Sequence, residues 1–305
     1  MARVRVAIVG GAGGTGASIA FNLLLLRLGL EVVLVDSRPE MVTSHALDLE
    51  QVLEQAPGST LATGELGEVR EADVVVVTAA APLTINTSRL VYLGDNARIL
   101  DSVADALPAS WPGVVVIVTN PVDPLVTRFQ ARTAIDRERV LGYTINDTLR
   151  LRTGLAKAFG VAAGDVEAWV VGEHGDAFVP LLDRVTVSGV PRMPTDAEAA
   201  AAEEFVRTWY VRHVALDSGR SSTWTTGFGA SRMVAAIVRG GSELWPASVV
   251  LRGEYGIDGV AVGVPVTLGH GGAEAVHEWE LTDKQLTALR TAGELVRGLA
   301  AGIDG

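Results

Sequence analysis

The residues of this sequence best suited to chemistry are a histidine, an acid and an arginine in its second half. His174 lies in the segment VVGEHGDAFVP, between a strand-like run and a proline. Asp147 and Arg150 lie in YTINDTLRLR, where a spacing of three places both side chains on one side of a helical turn. A histidine oriented by a carboxylate can move a proton near neutral pH, and an arginine can hold a substrate carboxylate with two parallel hydrogen bonds. Taken singly, a helix cap and a surface charge explain Asp147 and Arg150 as well.

A glycine-rich run near the N-terminus, VAIVGGAGGTG, lies between an expected strand and an expected helix. Such a loop brings backbone amides at a helix N-terminus close to a pyrophosphate, and Gly10, Gly13 and Gly16 have the required spacing. Asp36 ends the next strand-like run, about 20 residues after Gly16, where a carboxylate accepts hydrogen bonds from ribose hydroxyls. Because this carboxylate repels a 2′-phosphate, the pattern favours NAD over NADP. A glycine-rich turn followed by an ordinary strand-ending aspartate is the alternative. The loop residues predicted to bind NAD are Gly10, Gly11, Ala12, Gly13, Gly14, Thr15 and Gly16.

The elements that position these residues alternate between strand and helix in the first half of the chain. Short apolar runs rich in β-branched residues predict buried parallel strands at 4–9, 32–35, 74–77 and 114–118, with helices at 17–28, 40–53 and 90–107. The second half predicts helices at 149–159, 197–216 and 224–238, then antiparallel strands at 249–251, 260–264 and 266–268. Thr282 and Gln285 form a capping box that begins a last helix. We predict a Rossmann-type doubly wound parallel sheet in residues 1–142, followed by an α+β catalytic domain with antiparallel strands in residues 143–305.

Composition and charge exclude several classes of function. A chain of 305 residues can bury a large core, and a formal net charge of −11 argues against nucleic acid or an anionic membrane as a partner. The absence of cysteine excludes disulfides, thiolate-bound zinc and a cysteine nucleophile. Basic residues precede apolar ones at the N-terminus, as in a secretory signal, but five glycines between Gly10 and Gly16 interrupt the apolar region. We therefore expect a cytoplasmic protein with no metal site.

Five segments together resemble the L-lactate and L-malate dehydrogenase family of NAD-dependent 2-hydroxy-acid dehydrogenases. They are GGAGGTG, VTNPVD (118–123), NDTLR (146–150), GEHGD (172–176) and GEYGIDGVAVGVPVTLG (253–269), in family order and across essentially the whole chain. The resemblance implies hydride transfer between nicotinamide and C2 of a 2-oxo or 2-hydroxy acid. It assigns His174 as proton donor and acceptor, Asp147 as its orienting partner, and Arg150 as the clamp for the substrate carboxylate. It further implies a homodimer or homotetramer.

Further contacts follow from the same resemblance. Asn120 corresponds to a residue that binds near the nicotinamide and the substrate, while Val118, Asn96 and Thr226 fall where the family contacts the cofactor. Ser222 occupies the pocket position that faces the substrate side chain. The pattern GxxGGxG is closer to malate dehydrogenases, whereas GEYGI and the segment STW (222–224) are closer to lactate dehydrogenases. The motifs therefore do not distinguish the two branches.

The loop TAAAPLTINTSR (78–89) has the length of the family's substrate-covering loop, TAGAPRxxGxxR. The resemblance implies that Arg89 polarises the reacting carbonyl, and losing one such donor typically costs about 10² to 10³ in rate. The position after the proline reads the substrate side chain: it is arginine in malate dehydrogenases, usually glutamine in lactate dehydrogenases, and Leu83 here. Leucine would leave a second substrate carboxylate desolvated and unpaired. We therefore expect a substrate with an uncharged or apolar side chain, lactate or larger, with Thr84 and Asn86 as possible polar contacts.

Three other functions compete with this interpretation. Malate dehydrogenase is the nearest alternative. The NAD-dependent glycosidases share the general fold but are expected to use a cysteine-containing metal site, which this chain lacks. A non-catalytic NAD-binding regulator would have lost catalytic residues, whereas His174, Asp147, Arg150 and Arg89 are all present.

Overall fold

The structure is a computed structural model that describes residues 3–82, 84, 88–220 and 222–304, without the side chains of Arg89 and Asp304. Its helices are α1 (Gly14–Leu25), α2 (Pro39–Glu50), α3 (Leu93–Ala106), α4 (Val122–Arg132), α5 (Ile145–Phe159), α6 (Asp196–Val214), α7 (Thr223–Arg239) and α8 (Asp283–Ala301). Its strands are β1 (Arg5–Val9), β2 (Glu31–Val35), β3 (Thr60–Gly64), β4 (Val74–Val77), β5 (Val114–Ile117), β6 (Val140–Tyr143), β7 (Val166–Glu167), β8 (Val170–Gly172), β9 (Phe178–Pro180), β10 (Thr186–Val187), β11 (Val190–Pro191), β12 (Glu243–Arg252), β13 (Asp258–Gly269) and β14 (Gly272–Val276).

The first six strands are parallel and lie in the order β3-β2-β1-β4-β5-β6, as the alternating pattern predicts. β4 and β5 are buried along their whole length, which explains their unbroken runs of valine and isoleucine. The strand order reverses between β1 and β4. Open parallel sheets bind ligands in the crevice at such a reversal, outside the carboxyl ends of the strands.

The same sheet continues into the second half of the chain. β6 pairs with β5 in parallel and with β12 in antiparallel fashion, where Ala247 lies opposite Tyr143. β12, β13, β8 and β9 follow as antiparallel neighbours, and β14 pairs with β13. A Rossmann-type sheet followed by antiparallel strands is therefore confirmed. The division at residue 142 stays a prediction, since one sheet runs through it.

Several predicted boundaries are wrong, each for a local reason. The strands expected at 260–264 and 266–268 are one strand, β13, because Pro265 lies opposite Pro246, where neither residue has an N–H to donate. The helix expected at 149–159 begins at Ile145, so Asp147 lies in its first turn. The helix expected at 90–107 begins as a 3₁₀ turn, Arg89–Tyr92. The strand-like run before His174 is β8, whereas the short strands β3, β6, β7, β9 to β11 and β14 were not anticipated.

Helices cover both faces of the sheet and contribute to its two main apolar clusters. α1 and α7 pack closely, since a side chain at Gly227 would collide with Ser18. The capping box of α8 is confirmed: Gln285 N donates to Thr282 Oγ1 at 3.3 Å, and Thr282 N donates to Gln285 Oε1 at 2.9 Å. Within the described residues, we find no helix with the length and apolar character needed to cross a membrane.

Candidate active site

One cavity of about 1100 Å³ runs along the carboxyl ends of the parallel strands, from the glycine loop to the GEHGD segment. It brings together most residues that the sequence singled out. Those lining it are Gly10, Gly13, Gly14, Thr15, Gly16, Asp36, Asn96, Val118, Asn120, Arg150, His174, Ser222 and Thr226. Gly11 and Ala12 are not part of its wall, and Asp147 contacts two residues that are, His174 and Arg150. Leu83 and the Arg89 side chain lie outside the described residues.

The glycine loop has the geometry of a phosphate cradle. Gly10 has a φ of +94°, and a side chain at Gly16 would collide with the carbonyl oxygen of Gly10, so both positions require glycine. Gly13 N donates to Gly10 O at 3.0 Å and closes the turn. Gly13 is also the N-cap of α1, which has no side-chain cap and no acid in its first turn. The helix N-terminus therefore suits an anion.

Asp36 is fixed at the other wall of this cradle. Its Oδ2 accepts a hydrogen bond from Ala12 N at 3.1 Å, and its Oδ1 accepts one from Arg38 N at 3.2 Å. Arg38 Nε also lies 3.3 Å from Oδ1, a contact that sequence reasoning did not anticipate. Ala12 N thus helps to fix the carboxylate of Asp36. Carboxylate oxygens retain acceptor capacity for ribose hydroxyls after these bonds.

Two asparagines organise the middle of the cavity. Asn96 Nδ2 donates to Asn120 O at 2.6 Å, and Asn96 Oδ1 accepts from Ala81 N at 2.7 Å. Asn96 therefore joins the start of the 78–89 loop to the turn after β5. The Oδ1 of Asn120 is buried and accepts no hydrogen bond from the described residues. A buried acceptor of this kind suits a polar donor, such as a carboxamide, from a bound cofactor.

Asp147 and His174 form a buried pair at the far end of the cavity. α5 places Asp147 in its first turn, and the turn after β8 places His174 opposite it. His174 Nδ1 lies 2.5 Å from Asp147 Oδ2, and the two residues are 5% and 6% exposed. With Nδ1–H directed to the carboxylate, Nε2 is the ring nitrogen that can exchange a proton with a substrate oxygen.

Arg150 uses the other oxygen of the same carboxylate. Its Nη1 donates to Asp147 Oδ1 at 3.1 Å, one helical turn along α5, and the residue is 8% exposed. A buried carboxylate is costly unless it is paired, so Asp147 requires both partners. One acid thereby fixes the position of a proton carrier and of a cation that can bind a substrate carboxylate.

Sequence reasoning missed Asp123, although it lies in the VTNPVD segment. Asp123 Oδ2 accepts from His174 N at 2.6 Å, and Asp123 Oδ1 accepts from Ser248 Oγ at 2.6 Å. Burial, reinforced by the neighbouring Glu173, raises the pKa of the Asp123 carboxyl to about 8. The signal in the sequence was a lone acid in the first turn of an amphipathic helix.

Sequence reasoning also missed the wall that α6 provides. Trp209, Tyr210 and His213 line the cavity near Arg150, and Arg220 follows in the next loop. The available signal was an aromatic pair, Trp-Tyr, in a helix that is otherwise rich in alanine and charge.

Residues at the N-terminus of α7 complete the cavity. Ser222 is the N-cap residue of α7, and Thr226 lies one turn further on. Thr226 Oγ1 accepts from Asn146 Nδ2 at 2.9 Å, and Asn146 Oδ1 accepts from the Tyr143 hydroxyl at 2.9 Å. α7 is therefore tied to the start of α5, which carries Asp147 and Arg150.

Comparison with known proteins identifies this combination of fold and site. Residues 4–142 match the NAD binding domain of lactate/malate dehydrogenase, and residues 144–302 match the alpha/beta C-terminal domain of the same enzymes. The chain belongs to the lactate/malate dehydrogenase family. It is an NAD-dependent oxidoreductase, and the glycine cradle, Asp36 and the buried acceptor of Asn120 are the features of this chain that fit NAD.

Relatives of this dehydrogenase carry both names. The chain is 34% identical to a malate dehydrogenase of Rhodopirellula baltica, over 100% of this chain and 99% of the relative, and 31% identical to an L-lactate dehydrogenase of Mesoplasma florum, over 92% and 91%. A crystal structure of Cryptosporidium parvum malate dehydrogenase superposes with a TM-score of 0.93 at 28% identity, covering 99% of each chain. The lactate dehydrogenase of the same organism, complexed with lactic acid and nicotinamide adenine dinucleotide, gives 0.92 at 28% identity, covering 100% of this chain and 99% of that chain.

The Asp123 carboxyl generates a prediction about stability. Because the pKa of this carboxyl is raised in the folded state, the folded protein favours the protonated form. The contribution of the Asp123 carboxyl to the free energy of unfolding is therefore complete below about pH 4 and is lost as pH rises to about 8. Asp123→Asn cannot ionise. Relative to the wild type, its free energy of unfolding should therefore rise with pH over this window, by up to about 1.4 kcal/mol per pH unit.

Urea unfolding at pH 5, 6.5 and 8 measures this difference. Asp48→Asn, at an exposed position of α2, makes the same chemical change outside the core and serves as the control. Parallel stability profiles for Asp123→Asn and the wild type would contradict the expected ionisation.

Proposed function

We propose that this enzyme interconverts a 2-oxo acid and the corresponding 2-hydroxy acid, with His174 as proton carrier and Arg150 as carboxylate clamp. The observation that supports this most directly is the shared carboxylate of Asp147, which contacts both residues at the end of a dinucleotide-binding cavity. This arrangement matches the three tasks left to the protein in such a reaction. The protein must move a proton, stabilise charge on the reacting oxygen and hold the substrate.

In the reducing direction, NADH supplies the hydride that reduces C2 of the substrate. His174 enters protonated and transfers its Nε2 proton to the substrate oxygen, so that the carbonyl becomes a hydroxyl. Asp147 stabilises the imidazolium before the transfer and holds the neutral ring in the same orientation afterwards. Arg150 pairs with the substrate carboxylate, and its planar fork suits two parallel hydrogen bonds. Arg89 is proposed from the family resemblance to polarise the carbonyl.

The role of His174 is tested by His174→Gln, which keeps a polar side chain but cannot carry the proton. Turnover of the preferred 2-oxo acid should fall by about 10² to 10⁴, the usual contribution of a positioned acid or base. NADH binding, measured by fluorescence titration, should stay within about twofold of the wild type, because His174 lies at the substrate end of the cavity. Wild-type turnover in this variant would refute the assigned role.

We further propose that the substrate side chain is uncharged or apolar. The argument rests on the sequence at Leu83, which supplies neither a charge nor a hydrogen bond. Two described residues, Thr84 and Ser222, support it. Thr84 already contacts the Tyr92 hydroxyl through its N, at 2.7 Å, and through its Oγ1, at 2.9 Å. Ser222, a small residue, lines the cavity and leaves room. Each additional buried methylene of the substrate would contribute about 0.8 kcal/mol.

Malate dehydrogenase is the second candidate, and one observation favours it. Arg220 lines the same cavity in the loop after α6 and could pair with a second carboxylate. Several relatives are named malate dehydrogenase.

A substrate panel separates the two candidates. We expect pyruvate, 2-oxobutyrate or 2-oxoisocaproate to give a higher kcat/KM than oxaloacetate with NADH. Leu83→Arg should shift the ratio toward oxaloacetate by at least about tenfold, because the new guanidinium pairs with the second carboxylate. Leu83→Met, which stays apolar, is the matched control. If oxaloacetate is the best wild-type substrate and Arg220→Ala removes that activity, the malate alternative is correct.

We also propose that the enzyme forms a homodimer through α1 and α7. These adjacent helices expose two apolar pairs at i,i+4 spacing, Phe21 with Leu25 and Trp224 with Phe228, at 42%, 48%, 69% and 50% exposure. Exposed apolar side chains concentrated on neighbouring helices are typical of subunit interfaces. The homotetramer remains the alternative assembly. The cytoplasmic location expected from the sequence stays a prediction.

The double variant Leu25→Glu/Phe228→Glu tests this interface, because each change would bury an unpaired charge in the dimer. Light scattering coupled to gel filtration should give a dimeric mass for the wild type, twice the chain mass of 31.9 kDa, and a monomeric mass for the variant. Leu295→Glu on α8, 42% exposed, is the control and should stay dimeric. A monomeric wild type would exclude the proposed interface.

A further inference from the structure

The substrate end of the cavity contains a stacked contact that depends on how α5 and α6 pack. A side chain at Gly154 would lie 2.9 Å from the Cα of Ala202, so the two helices approach closely at this point. Gly154 follows Arg150 by one helical turn. The close approach therefore brings the face of α6 that contains Ala202 next to the turn of α5 that carries Arg150.

Trp209 lies on this face of α6. Ala202, Val206, Trp209 and His213 follow one another at spacings of four, three and four, which places them along one side of a helix. Ala202 and Val206 are buried against α5, and Trp209 and His213 line the cavity further along. The helix therefore changes along one face from core packing to cavity wall.

Trp209 covers the guanidinium of Arg150. The Arg150 Cζ lies 4.1 Å from the centroid of the Trp209 ring, within the range of a cation–π contact. Asp147 holds the same guanidinium through its Nη1 edge. One residue therefore fixes the edge of the guanidinium and another covers its face.

His213 connects this contact to the loop after α6. Its ring stacks on Trp209 with centroids 4.9 Å apart and planes 11° apart, and its Nε2 lies 2.9 Å from the Arg220 carbonyl oxygen. The loop that contains Arg220 also lines the cavity. Trp209 is thus held by contacts on both α5 and α6.

We propose that Trp209 is a positioning residue for the substrate carboxylate, acting through Arg150. This inference rests on the proposed function, in which Arg150 is the carboxylate clamp. The indole keeps the guanidinium plane in one orientation and excludes water from its face, so the edge that binds the carboxylate is preorganised. The contact involves no atom that reacts in hydride transfer. Its loss should therefore weaken substrate binding throughout the reaction and should raise KM more than it lowers kcat.

Two substitutions separate the aromatic face from apolar volume. Trp209→Leu keeps an apolar side chain without a π face, and we expect the KM for the 2-oxo acid to rise about tenfold, with kcat within about threefold of the wild type. Trp209→Phe restores a π face and should stay within about threefold of the wild-type KM. The KM for NADH should be unchanged in both.

Phe205→Leu is the matched control. Phe205 lies on the same helix and contacts the cations Lys157 and Arg212, but it does not line the cavity. The same loss of an aromatic face at this position should leave the KM for the 2-oxo acid unchanged. Circular dichroism of each variant verifies that α6 is folded.

Fluorescence provides a test that does not depend on a stable leucine variant. Pyruvate added to the NAD⁺-loaded wild type cannot be reduced, and its carboxylate should change the indole emission through Arg150. The change should persist in Trp224→Phe and disappear in Trp209→Phe.

The outcomes distinguish this inference from the function on which it rests. A wild type that reduces no 2-oxo acid with NADH would refute the proposed function. If the wild type is active, the proposed function stands. The inference would then be overturned if Trp209→Leu kept the wild-type KM for the 2-oxo acid, or if Trp209→Phe and Trp209→Leu raised this KM by the same factor. It would also be overturned if the emission change survived in Trp209→Phe.

Discussion

The buried carboxylate of Asp147 is the constraint on which the rest of the active site depends. A negative charge with 6% exposure is tolerated only when it is paired and hydrogen-bonded, and both of its oxygens are used: one by His174 and one by Arg150. The first turn of α5 and the turn after β8 must therefore meet. The proposed proton carrier and the proposed carboxylate clamp share one anchor, so their relative geometry is set by a single side chain.

The continuity of the sheet through β6 lets the dinucleotide-binding half and the catalytic half act as one site. Asp123, at the start of α4, accepts hydrogen bonds from His174 N and from Ser248 on β12. Asn120, three residues earlier, lines the cavity at the end of β5. The turn between β5 and α4 therefore connects Asn120, the proposed nicotinamide contact, to the main chain of His174, the proposed proton carrier.

The wall at the substrate end of the cavity comes from different elements than the candidate catalytic residues. The wall there comes from α6, from the loop that follows it and from the start of α7, while Arg150 lies on α5 and His174 lies after β8. The pair of His174 and Asp147 makes hydrogen bonds within α5 and to Asp123 of α4, so wall residues that do not contact Arg150 can change without disturbing this pair.

The sequence by itself determined the alternation of strands and helices, and it indicated the glycine loop with Asp36 and the candidate residues His174, Asp147 and Arg150. These signals are local: the period of apolar residues, a loop of fixed spacing and a helical turn. Helix and strand ends shifted by a few residues where a 3₁₀ turn or a pair of opposed prolines altered the backbone. The tertiary structure alone decided that Ser248 contacts Asp123, 125 residues away, and that Trp209 covers Arg150. Such contacts depend on the path of the chain and on how closely two helices approach, and no local pattern encodes either.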